Sequence, residues 1–535
     1  MKASDTKAQS PVAPWFEKGR VVFACLAVIL VAGAWLRMTD LSLAAYRSDE
    51  IVFYNICSQP IAPMDIVHRW MEIMGITGQF PFAMAITKWF LIVSNQAATP
   101  FALRLPSAFW GVLAIAAAYG FGACLHRKST GLMLAALLAM NPMHVQICRE
   151  AYYYSPLVTG AILLWWATFW SLEIAAGRRP ATPFFYALLA AGFFLTAYSQ
   201  PTGWPVAMVL LLIIIGAFGW RARKDVAARR PIIVTVIICV VIGIPLLTSD
   251  WALDHLIKNA SGATKEAAKK ALAAGEGSIL TMIPRTLTSF AWGDTAPRAV
   301  FTALLLIAGL VFCILQGRKD RRFLALPGAV LAVFGLYLFS RGTSGAAFES
   351  RYVAGLLPPY LLIIALGMVA ARSFLDAARV PARVATAAPA VLLAAGLGLN
   401  AGPALWCTQL TGFPTPYYKI TEWFDANLPR GTPVIVDRWF EPWNELKVHP
   451  STNVIFTFTI PNEPLEEFLQ KQWRGSVTNF FEKYPDAAYL ELAKQYWHVP
   501  GVGNWEWPRS HFARHVGITN EAGLKLRNIG LANRG

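Results

Sequence analysis

Long apolar runs recur from near the N-terminus to about residue 402, and short polar or basic segments separate them. A helix that crosses the hydrocarbon core of a bilayer needs about 20 apolar residues, and eleven runs approach that length. They cover residues 21–36, 105–125, 130–147, 155–176, 184–199, 203–220, 232–248, 299–316, 323–340, 352–371 and 385–402. The pattern predicts an all-α polytopic membrane protein with about eleven transmembrane helices.

A further apolar stretch, Phe82 to Val93, is interpreted differently because of the charges that follow it. Counting it as a span would place Arg127 and Lys128 on the opposite side from the other basic clusters, whereas basic loops lie on the cytoplasmic side. We therefore predict an amphipathic helix that lies along the outer membrane surface. Lys88 and Trp89 would then lie at the level of the lipid headgroups.

The pattern changes after Gly402, where Pro, Trp and charged residues become frequent. Short alternating runs at Val434–Val436 and Val454–Phe458 predict strands, and 417–427 predicts a helix. The sequence therefore predicts two domains: a transmembrane module over residues 1–402 and a soluble α/β domain over residues 403–535.

The composition of the whole chain agrees with a membrane protein. Of the 535 residues, 56% are hydrophobic and 15% are charged, whereas a soluble domain carries about a quarter charged residues. The formal net charge of +16 could indicate a nucleic-acid partner, but Lys and Arg lie in short clusters between apolar runs, as cytoplasmic loops require. The expected partner is a lipid bilayer, and no nucleic acid is expected.

The basic clusters also set the orientation. With a cytoplasmic N-terminus, all of them fall on one side: 127–128, 178–179, 221–230, 318–322 and 372–383. This predicts a multi-pass protein of a bacterial inner membrane whose C-terminal domain is periplasmic. The first run follows a basic tail, but no small-residue cleavage site follows it, so we expect an uncleaved anchor.

Seven cysteines are scattered, mostly inside apolar runs and without CxxC spacing, so they indicate no metal site. Cys57 and Cys148 would face the oxidising periplasm, and a bridge between them stays an open alternative. No cofactor is required by the sequence. A divalent metal could still be recruited by an acidic pair.

That acidic pair is Asp49–Glu50, just beyond the first span. One carboxylate could act as general base toward an attacking hydroxyl while its neighbour holds it in place. Alternatively, both acids only solubilise a loop, or Asp49 caps a helix that begins at Ile51.

A second polar group stands between the third and fourth spans, from His144 to Tyr154. Polar residues beside the bilayer are costly unless they face a polar cavity, which makes Arg149 and Glu150 candidate site residues. His144 could equally be a structural histidine. We interpret Tyr153 and Tyr154 as members of an interfacial aromatic belt.

The third candidate is Arg351, next to Tyr352 at the start of the tenth span. A guanidinium there could bind a phosphate through paired hydrogen bonds, or it could extend toward lipid headgroups. Trp292, Asp294 and Arg298 are weaker candidates.

Together these motifs resemble the GT-C glycosyltransferases, whose nearest branch includes protein O-mannosyltransferases and lipid A aminoarabinose transferases. The resemblance rests on the acidic pair, on Phe101-Ala102-Leu103-Arg104-Leu105-Pro106-Ser107, on the 144–154 stretch, and on Arg351-Tyr352 with Leu357-Pro358-Pro359. It covers roughly residues 15 to 400. The region after Gly402 matches no domain of the family.

The resemblance implies an inverting transfer from a polyprenyl-phosphate-linked sugar to a hydroxyl of a protein or glycolipid. Asp49 would be the catalytic base, with Glu50 assisting. The remaining implied roles are donor-phosphate binding by Arg351, Lys88 and Arg149, and lining of the substrate cavity by Glu150, His144, Tyr152 and Tyr352. Two features depart from the family: Gln79-Phe80-Pro81 replaces a double proline, and Tyr152 stands where an arginine is common.

Two other functions remain open. A transporter or flippase for lipid-linked sugars would be expected to show internal repeats and midplane polar residues, whereas no repeat is visible and the candidate residues gather at one face. A non-enzymatic membrane protein could instead bind glycans through tryptophans of the C-terminal domain. These are Trp439, Trp443, Trp497, Trp505 and Trp507.

Overall fold

The computed structural model describes most of the transmembrane region and separate strands of the C-terminal region. The described residues are 19–42, 50–69, 81–223, 225, 229–247, 290, 296–344, 350–409, 434–437, 455–458, 488–492, 498–499, 503–504, 517–519 and 524–528.

Helices account for nearly all of the described residues before position 410. The α-helices are α1 Gly19–Met38, α2 Glu50–Cys57, α3 Pro63–His68, α4 Phe82–Val93, α5 Pro100–Leu125, α6 Lys128–Ala139, α7 Pro142–Cys148, α8 Tyr154–Ala175, α9 Pro183–Ser199, α10 Trp204–Ala222, α11 Arg229–Leu247, α12 Ala296–Gly317, α13 Arg322–Ser344, α14 Leu357–Ala377 and α15 Ala382–Gln409. Two 3₁₀ segments, Pro201–Gly203 and Ser350–Leu356, precede α10 and α14.

Each of the eleven predicted apolar runs coincides with helix in this structure. By length and composition, seven described helices could cross a membrane, or up to eight if the bent pair α6–α7 is one span. Two of the predicted runs form shorter apolar helices, Pro183–Ser199 and Arg322–Leu338. The chain is a multi-pass membrane protein, and the number eleven stays a prediction.

The third predicted span is broken. Helix α6 ends at Ala139, α7 begins at Pro142, and the two axes differ by 64°. A proline cannot donate a backbone hydrogen bond and restricts the residue before it, so Asn141–Pro142 favours a break. The break leaves carbonyl groups at the end of α6 without helical partners.

Arg37, in the last turn of α1, binds those carbonyl groups. Its guanidinium donates to Ala139 O at 3.0 Å and to Leu138 O at 3.1 Å, and the side chain is fully buried. A cation at a helix C-terminus also interacts favourably with the helix dipole. The arginine therefore joins α1 to the broken helix.

The described helices and strands fall into two compact units. One contains residues 1–37, 109–145 and 153–402, and the other contains residues 38–108, 146–152 and 403–535. Within the first unit, α8 and α9 pack along each other. Gly160 and Gly192 permit the close approach, since a Cβ on either would lie 2.6 Å from atoms of the facing helix.

An ion-pair network lies at the predicted cytoplasmic ends of the helices in this first unit. Arg322 contacts Glu173 at 2.8 Å and Asp320 at 2.6 Å, and it donates to Cys124 O at 3.2 Å. Arg178 contacts Glu173 at 2.7 Å and Asp320 at 3.6 Å. The network ties the C-terminal ends of α5 and α8 to the loop between α12 and α13.

This network predicts a pH-dependent contribution to stability. Partial burial raises the pKa of Asp320, but hydrogen bonds from Arg322 and the charges of Arg322 and Arg178 outweigh it and hold the pKa below the ordinary 3.8. A carboxyl group whose pKa is lower in the folded than in the unfolded protein stabilises the fold at pH values above its ordinary pKa. That stabilisation is lost as the pH falls through the pKa of the folded state. We expect the melting temperature of the wild type to fall more steeply below about pH 4 than that of Asp320→Asn.

The matched control is Asp376→Asn. Asp376 is half exposed and lies 3.7 Å from Arg372, one turn earlier in α14, so its removal should leave the slope unchanged. If the melting temperatures of the wild type and Asp320→Asn fell in parallel from neutral pH to about pH 3, Asp320 would not be the group that causes the pH dependence.

The strands of the C-terminal region form a five-stranded sheet and a two-stranded ladder. The strands are β1 Val434–Asp437, β2 Ile455–Phe458, β3 Ala488–Leu492, β4 His498–Val499, β5 Gly503–Asn504, β6 Gly517–Thr519 and β7 Leu524–Asn528. The larger sheet has the order β2-β1-β3-β7-β6. Strands β1, β2 and β3 run parallel, whereas β7 is antiparallel to both β3 and β6.

The two strands predicted from sequence, β1 and β2, are confirmed. The register pairs Val436 with Leu490, Leu490 with Leu526, and Leu526 with Ile518. Parallel neighbours need long crossover connections, and residues 438–454 and 459–487 lie outside the described ranges. The α/β class of this domain therefore stays a prediction, as does the helix at 417–427.

Candidate active site

A buried ion pair lies at the start of α2, in the second compact unit. Glu50 is the first residue of α2, and Arg104 lies in the first turns of α5. The Arg104 Nε and Nη2 groups donate to Glu50 Oε1 and Oε2 at 2.8 and 2.7 Å. Each residue is 1% exposed. This two-point geometry is the strongest form of a carboxylate–arginine contact.

The same pair holds two further segments of backbone. Arg104 Nη1 donates to Leu41 O at 2.8 Å, and the Ala151 backbone N–H donates to Glu50 Oε1 at 2.6 Å. Burying two charges is favourable only when the remaining polar atoms are also bonded. The contacts meet that condition. They fix Glu50, the first residue of α2, between Leu41, the start of α5 and the 146–152 turn.

Asp49 directly precedes this fixed residue and lies outside the described ranges. The helix begins at Glu50, one residue before the Ile51 start considered from sequence. Its predicted role as catalytic base stays a prediction. The structure shows how its neighbour is held: Glu50, predicted to assist catalysis, accepts hydrogen bonds from Arg104 and Ala151 on both carboxylate oxygens.

Sequence reasoning missed Arg104 as a functional residue and treated it only as part of a motif. The available signal was its position inside the apolar run that opens the second span. An arginine within such a run requires a buried partner or a route to water. A search for its counter-charge would have favoured Glu50.

Tyr152 packs against α2 within this unit. Its ring lies 6.0 Å from the ring of Phe53, and its backbone is bridged by Ser107. The Ser107 hydroxyl donates to Tyr152 O at 3.1 Å and accepts from Tyr152 N at 3.4 Å. The tyrosine therefore connects the turn to both α2 and α5, and its predicted place in the substrate cavity stays a prediction.

Arg149 is 1% exposed and binds backbone carbonyl groups. It donates to Thr39 O at 2.5 Å, to Asp40 O at 3.4 Å and to Thr408 O at 2.8 Å. Asp40 has a φ of 54°, which is uncommon for a residue with a side chain. Phosphate binding by Arg149 stays a prediction, and this geometry favours another part for it: holding the chain after α1 to the end of α15.

Glu150 is also buried, with 6% of its surface exposed. The Gln146 side chain donates to its Oε1 at 3.3 Å, one helical turn earlier. Its predicted position in the substrate cavity is not settled by this contact and stays a prediction.

Lys88 supports α2 at the helix's other end. Helix α4 is present as predicted, and Lys88 Nζ donates to Cys57 O at 2.8 Å and Gln59 O at 2.6 Å. A cation near the last carbonyl groups of a helix is favourable. Trp89 is exposed, and the interfacial position of α4 stays a prediction. Phosphate binding by Lys88 stays a prediction.

The two cysteines considered for a bridge are separate in this structure. Cys57 and Cys148 are both buried, and no disulfide joins them. Burial raises the pKa of Cys57 to about 12, so the thiol stays protonated at neutral pH. The open alternative of a Cys57–Cys148 disulfide is not realised in this structure.

His144 belongs to the first compact unit and contacts Arg37. The Arg37 guanidinium lies 2.6 Å from His144 Nδ1. Because a guanidinium can only donate, Nδ1 accepts and the imidazole is neutral. The His144 backbone N–H donates to the Asn141 side chain at 3.0 Å. These contacts match the structural alternative considered from sequence, and a cavity role stays a prediction.

Tyr153 and Tyr154 correct the sequence interpretation of an aromatic belt. They are 4% and 0% exposed, so they lie inside the helix bundle rather than at its lipid-facing surface. The side chain of Gln200 donates to their hydroxyls at 3.0 and 3.3 Å. The rings of Tyr154 and Tyr352 lie 6.5 Å apart. Sequence could not distinguish a belt from this buried polar cluster, because both place tyrosines at helix ends.

Arg351 lies in the 3₁₀ segment Ser350–Leu356, beside Tyr352. The position of its side chain lies outside what the structure describes, as do Trp292, Asp294 and the five tryptophans of the C-terminal region. Arg298 lies in the first turn of α12. Phosphate binding by Arg351 and cavity lining by Tyr352 stay predictions. Among the residues of the described ranges, no group of three His, Cys, Asp or Glu side chains could hold a metal ion.

No family model matches the sequence, and no curated protein matches it. Solved structures do resemble it. The oligosaccharyltransferase of Archaeoglobus fulgidus in the apo form aligns over 89% of this chain and 70% of its own, with 13% identity and a TM-score of 0.50. This likeness shows the fold alone: the chain shares the fold of that structure.

Two further structures are similar. The archaeal oligosaccharyltransferase AglB from Archaeoglobus fulgidus, in complex with an inhibitory peptide and a dolichol-phosphate, aligns over 83% of this chain with 13% identity and a TM-score of 0.48. This chain spans 65% of the length of that structure. ArnT from Cupriavidus metallidurans bound to undecaprenyl phosphate aligns over 95% of this chain and 97% of its own, with 12% identity and a TM-score of 0.49.

Proposed function

We propose that this chain is a membrane glycosyltransferase of a bacterial inner membrane. It transfers a sugar from a polyprenyl-phosphate donor to a hydroxyl of a protein or glycolipid at the periplasmic face, with inversion. The observation that carries the proposal is the buried Glu50–Arg104 pair with its Ala151 contact. It fixes the residue next to Asp49, and a positioned carboxylate is what a general base requires.

In the proposed reaction, Asp49 accepts the proton of the acceptor hydroxyl as its oxygen attacks the anomeric carbon. The bond from that carbon to the phosphate oxygen breaks, and polyprenyl phosphate leaves with the bonding electrons. Positive charge near the departing phosphate stabilises the transition state, and Arg351 is assigned this role. No metal is required by this scheme.

The geometry of Glu50 supports the choice of Asp49 as base. Both oxygens of Glu50 already accept hydrogen bonds, and the side chain is 1% exposed. Accepting a proton there would break the ion pair and leave Arg104 buried with a lost counter-charge. Glu50 is therefore assigned to positioning and Asp49 to chemistry.

The role of Arg351 predicts a donor-specific defect. Lys keeps the charge but loses the planar pair of donors that fits a phosphate, so Arg351→Lys should raise the KM for the donor about tenfold, which corresponds to ~1.4 kcal/mol. The KM for the acceptor should change less than twofold. Steady-state kinetics with each substrate varied in turn would measure both.

The control for this prediction is Arg372→Lys. Arg372 lies in α14 and pairs with Asp376 at 3.7 Å, so its replacement should leave both KM values unchanged. An unchanged donor KM in Arg351→Lys would show that Arg351 only extends toward lipid headgroups.

The activity itself is tested in proteoliposomes that contain the purified chain and a polyprenyl-phosphate sugar labelled in the sugar. A transferase releases polyprenyl phosphate and moves the label to an acceptor from cell-envelope extract. A flippase moves the intact donor across the bilayer without cleavage. A glycan-binding protein does neither and retains glycan binding when Asp49 is replaced. Either of the last two outcomes would overturn the proposal.

A further inference from the structure

A buried polar cluster in the first compact unit surrounds Gln200, which is 5% exposed. Gln200 stands between α9 and the 3₁₀ segment Pro201–Gly203. Its amide nitrogen donates to the hydroxyls of Tyr153 and Tyr154 at 3.0 and 3.3 Å, and its amide oxygen accepts from the Thr202 hydroxyl. Every polar atom of this amide group therefore has a partner, as a buried amide requires.

Two routes lead from Gln200 to the 3₁₀ segment Ser350–Leu356. The first runs through Tyr154, whose ring lies 6.5 Å from that of Tyr352. The second runs through Thr202, whose carbonyl oxygen accepts a hydrogen bond from the Tyr337 hydroxyl. Gly355 fits close to Tyr337, since a Cβ at Gly355 would lie 3.9 Å from the Tyr337 hydroxyl oxygen.

The segment is held from other sides as well. Trp165 Nε1 donates to Gly355 O at 3.3 Å, and a Cβ at Gly355 would lie 2.9 Å from Val206. The backbone around Tyr352 and Gly355 is therefore located by side chains from α8, α10 and α13. Arg351 is part of this same short segment.

We infer that Gln200 is a positioning residue that, through Tyr154 and through Thr202 and Tyr337, sets the Ser350–Leu356 segment and with it Arg351. The inference rests on the proposed function, in which Arg351 binds the donor phosphate. A purely structural Gln200 would affect stability alone. A positioning Gln200 affects donor binding through Arg351, and the two roles can be separated by kinetics.

The test uses the full-length protein in proteoliposomes. Gln200→Leu removes all three hydrogen bonds of the amide at similar size, and we expect the donor KM to rise about tenfold with the acceptor KM unchanged. Gln200→Glu keeps the length and offers acceptors to which the tyrosine hydroxyls can donate, so it should recover most of the donor affinity. Ser199→Ala is the matched control, because the Ser199 hydroxyl is buried in the same turn without a hydrogen-bond partner in the described structure.

A double-mutant cycle with Arg351→Ala gives the decisive readout, because coupled residues lose additivity. Once Arg351 is gone, Gln200→Leu should raise the donor KM no further. The inference would be overturned if Gln200→Leu lowered the melting temperature but left the donor KM unchanged. It would also be overturned if the effects of Gln200→Leu and Arg351→Ala on the donor KM were fully additive. If Arg351→Ala itself leaves the donor KM unchanged, the phosphate role in the proposed function fails instead, and the two failures are thereby distinguished.

Discussion

Replacing Asp49 with Asn is expected to lower the rate of sugar transfer by a factor of roughly 10²–10⁴, the usual contribution of a general base. Asparagine has nearly the same size as aspartate but cannot accept the proton of the acceptor hydroxyl. The donor KM should change little, because the phosphate is assigned to other residues. The measurement is the rate of polyprenyl-phosphate release from a labelled donor in proteoliposomes.

The matched control is Asp65→Asn. Asp65 lies in α3 of the same predicted loop, where its carboxylate accepts from the Ala62 backbone N–H at 3.0 Å near the surface. Asp65→Asn should leave the rate within about twofold of the wild type, since the proposed reaction assigns proton transfer to Asp49 and gives Asp65 no part in it. A normal rate in Asp49→Asn would remove Asp49 from the reaction.

Replacing Arg104 with Leu is expected to destabilise the protein by about 3–5 kcal/mol, because the variant leaves the Glu50 carboxylate buried without its counter-charge. Activity should be lost as well, since the start of α2 is no longer fixed beside Asp49. The free energy of unfolding can be followed by denaturation of the purified protein in detergent.

The double variant Glu50→Leu/Arg104→Leu separates the two effects. Replacing both charges by apolar groups removes the unpaired buried carboxylate, so the free energy of unfolding should recover part of the loss while transfer remains low. Recovery stays incomplete because the Leu41 carbonyl and the Ala151 N–H lose their side-chain partners. The control is Arg372→Leu, whose partly exposed pair with Asp376 at 3.7 Å should contribute only about 0–1 kcal/mol. A loss as small as that in Arg104→Leu would contradict the assigned importance of the pair.

The transmembrane elements could be predicted from sequence because each is a local property. Each of the eleven predicted apolar runs coincides with helix, and the predicted helix at Phe82–Val93 is present as α4. The break at Asn141–Pro142 was missed, since the run 130–147 stays apolar throughout. Pro142 indicated a helix break at this point, but the apolar character of the run favoured one continuous helix.

The site was harder to predict because its contacts join distant residues. Glu50 and Arg104 are separated by 54 positions, and no periodic pattern specifies which buried charge pairs with which. The same difficulty explains Arg149, whose carbonyl partners include Thr408, 259 positions away. Sequence identified candidate polar residues, and only the fold could assign their partners.

The tyrosines at 153 and 154 show a second limit. A tyrosine at a helix end suits both a membrane interface and a buried polar cluster, since its ring is apolar and its hydroxyl needs a partner. The deciding residue is Gln200, which lies some 46 positions away. The Gln200 amide is the hydrogen-bond partner of both hydroxyls. The sequence around the tyrosines contains no information about where Gln200 lies in the fold.

The most direct test of the account is mass spectrometry of cell-envelope glycoproteins and glycolipids in a strain that lacks this chain. The strain would be complemented by the wild type, by Asp49→Asn or by Asp65→Asn, with protein levels matched. We expect a sugar-bearing species that appears with the wild type and Asp65→Asn and is absent with Asp49→Asn. The same species at full abundance with Asp49→Asn, or no difference between the empty strain and the wild type, would contradict the account.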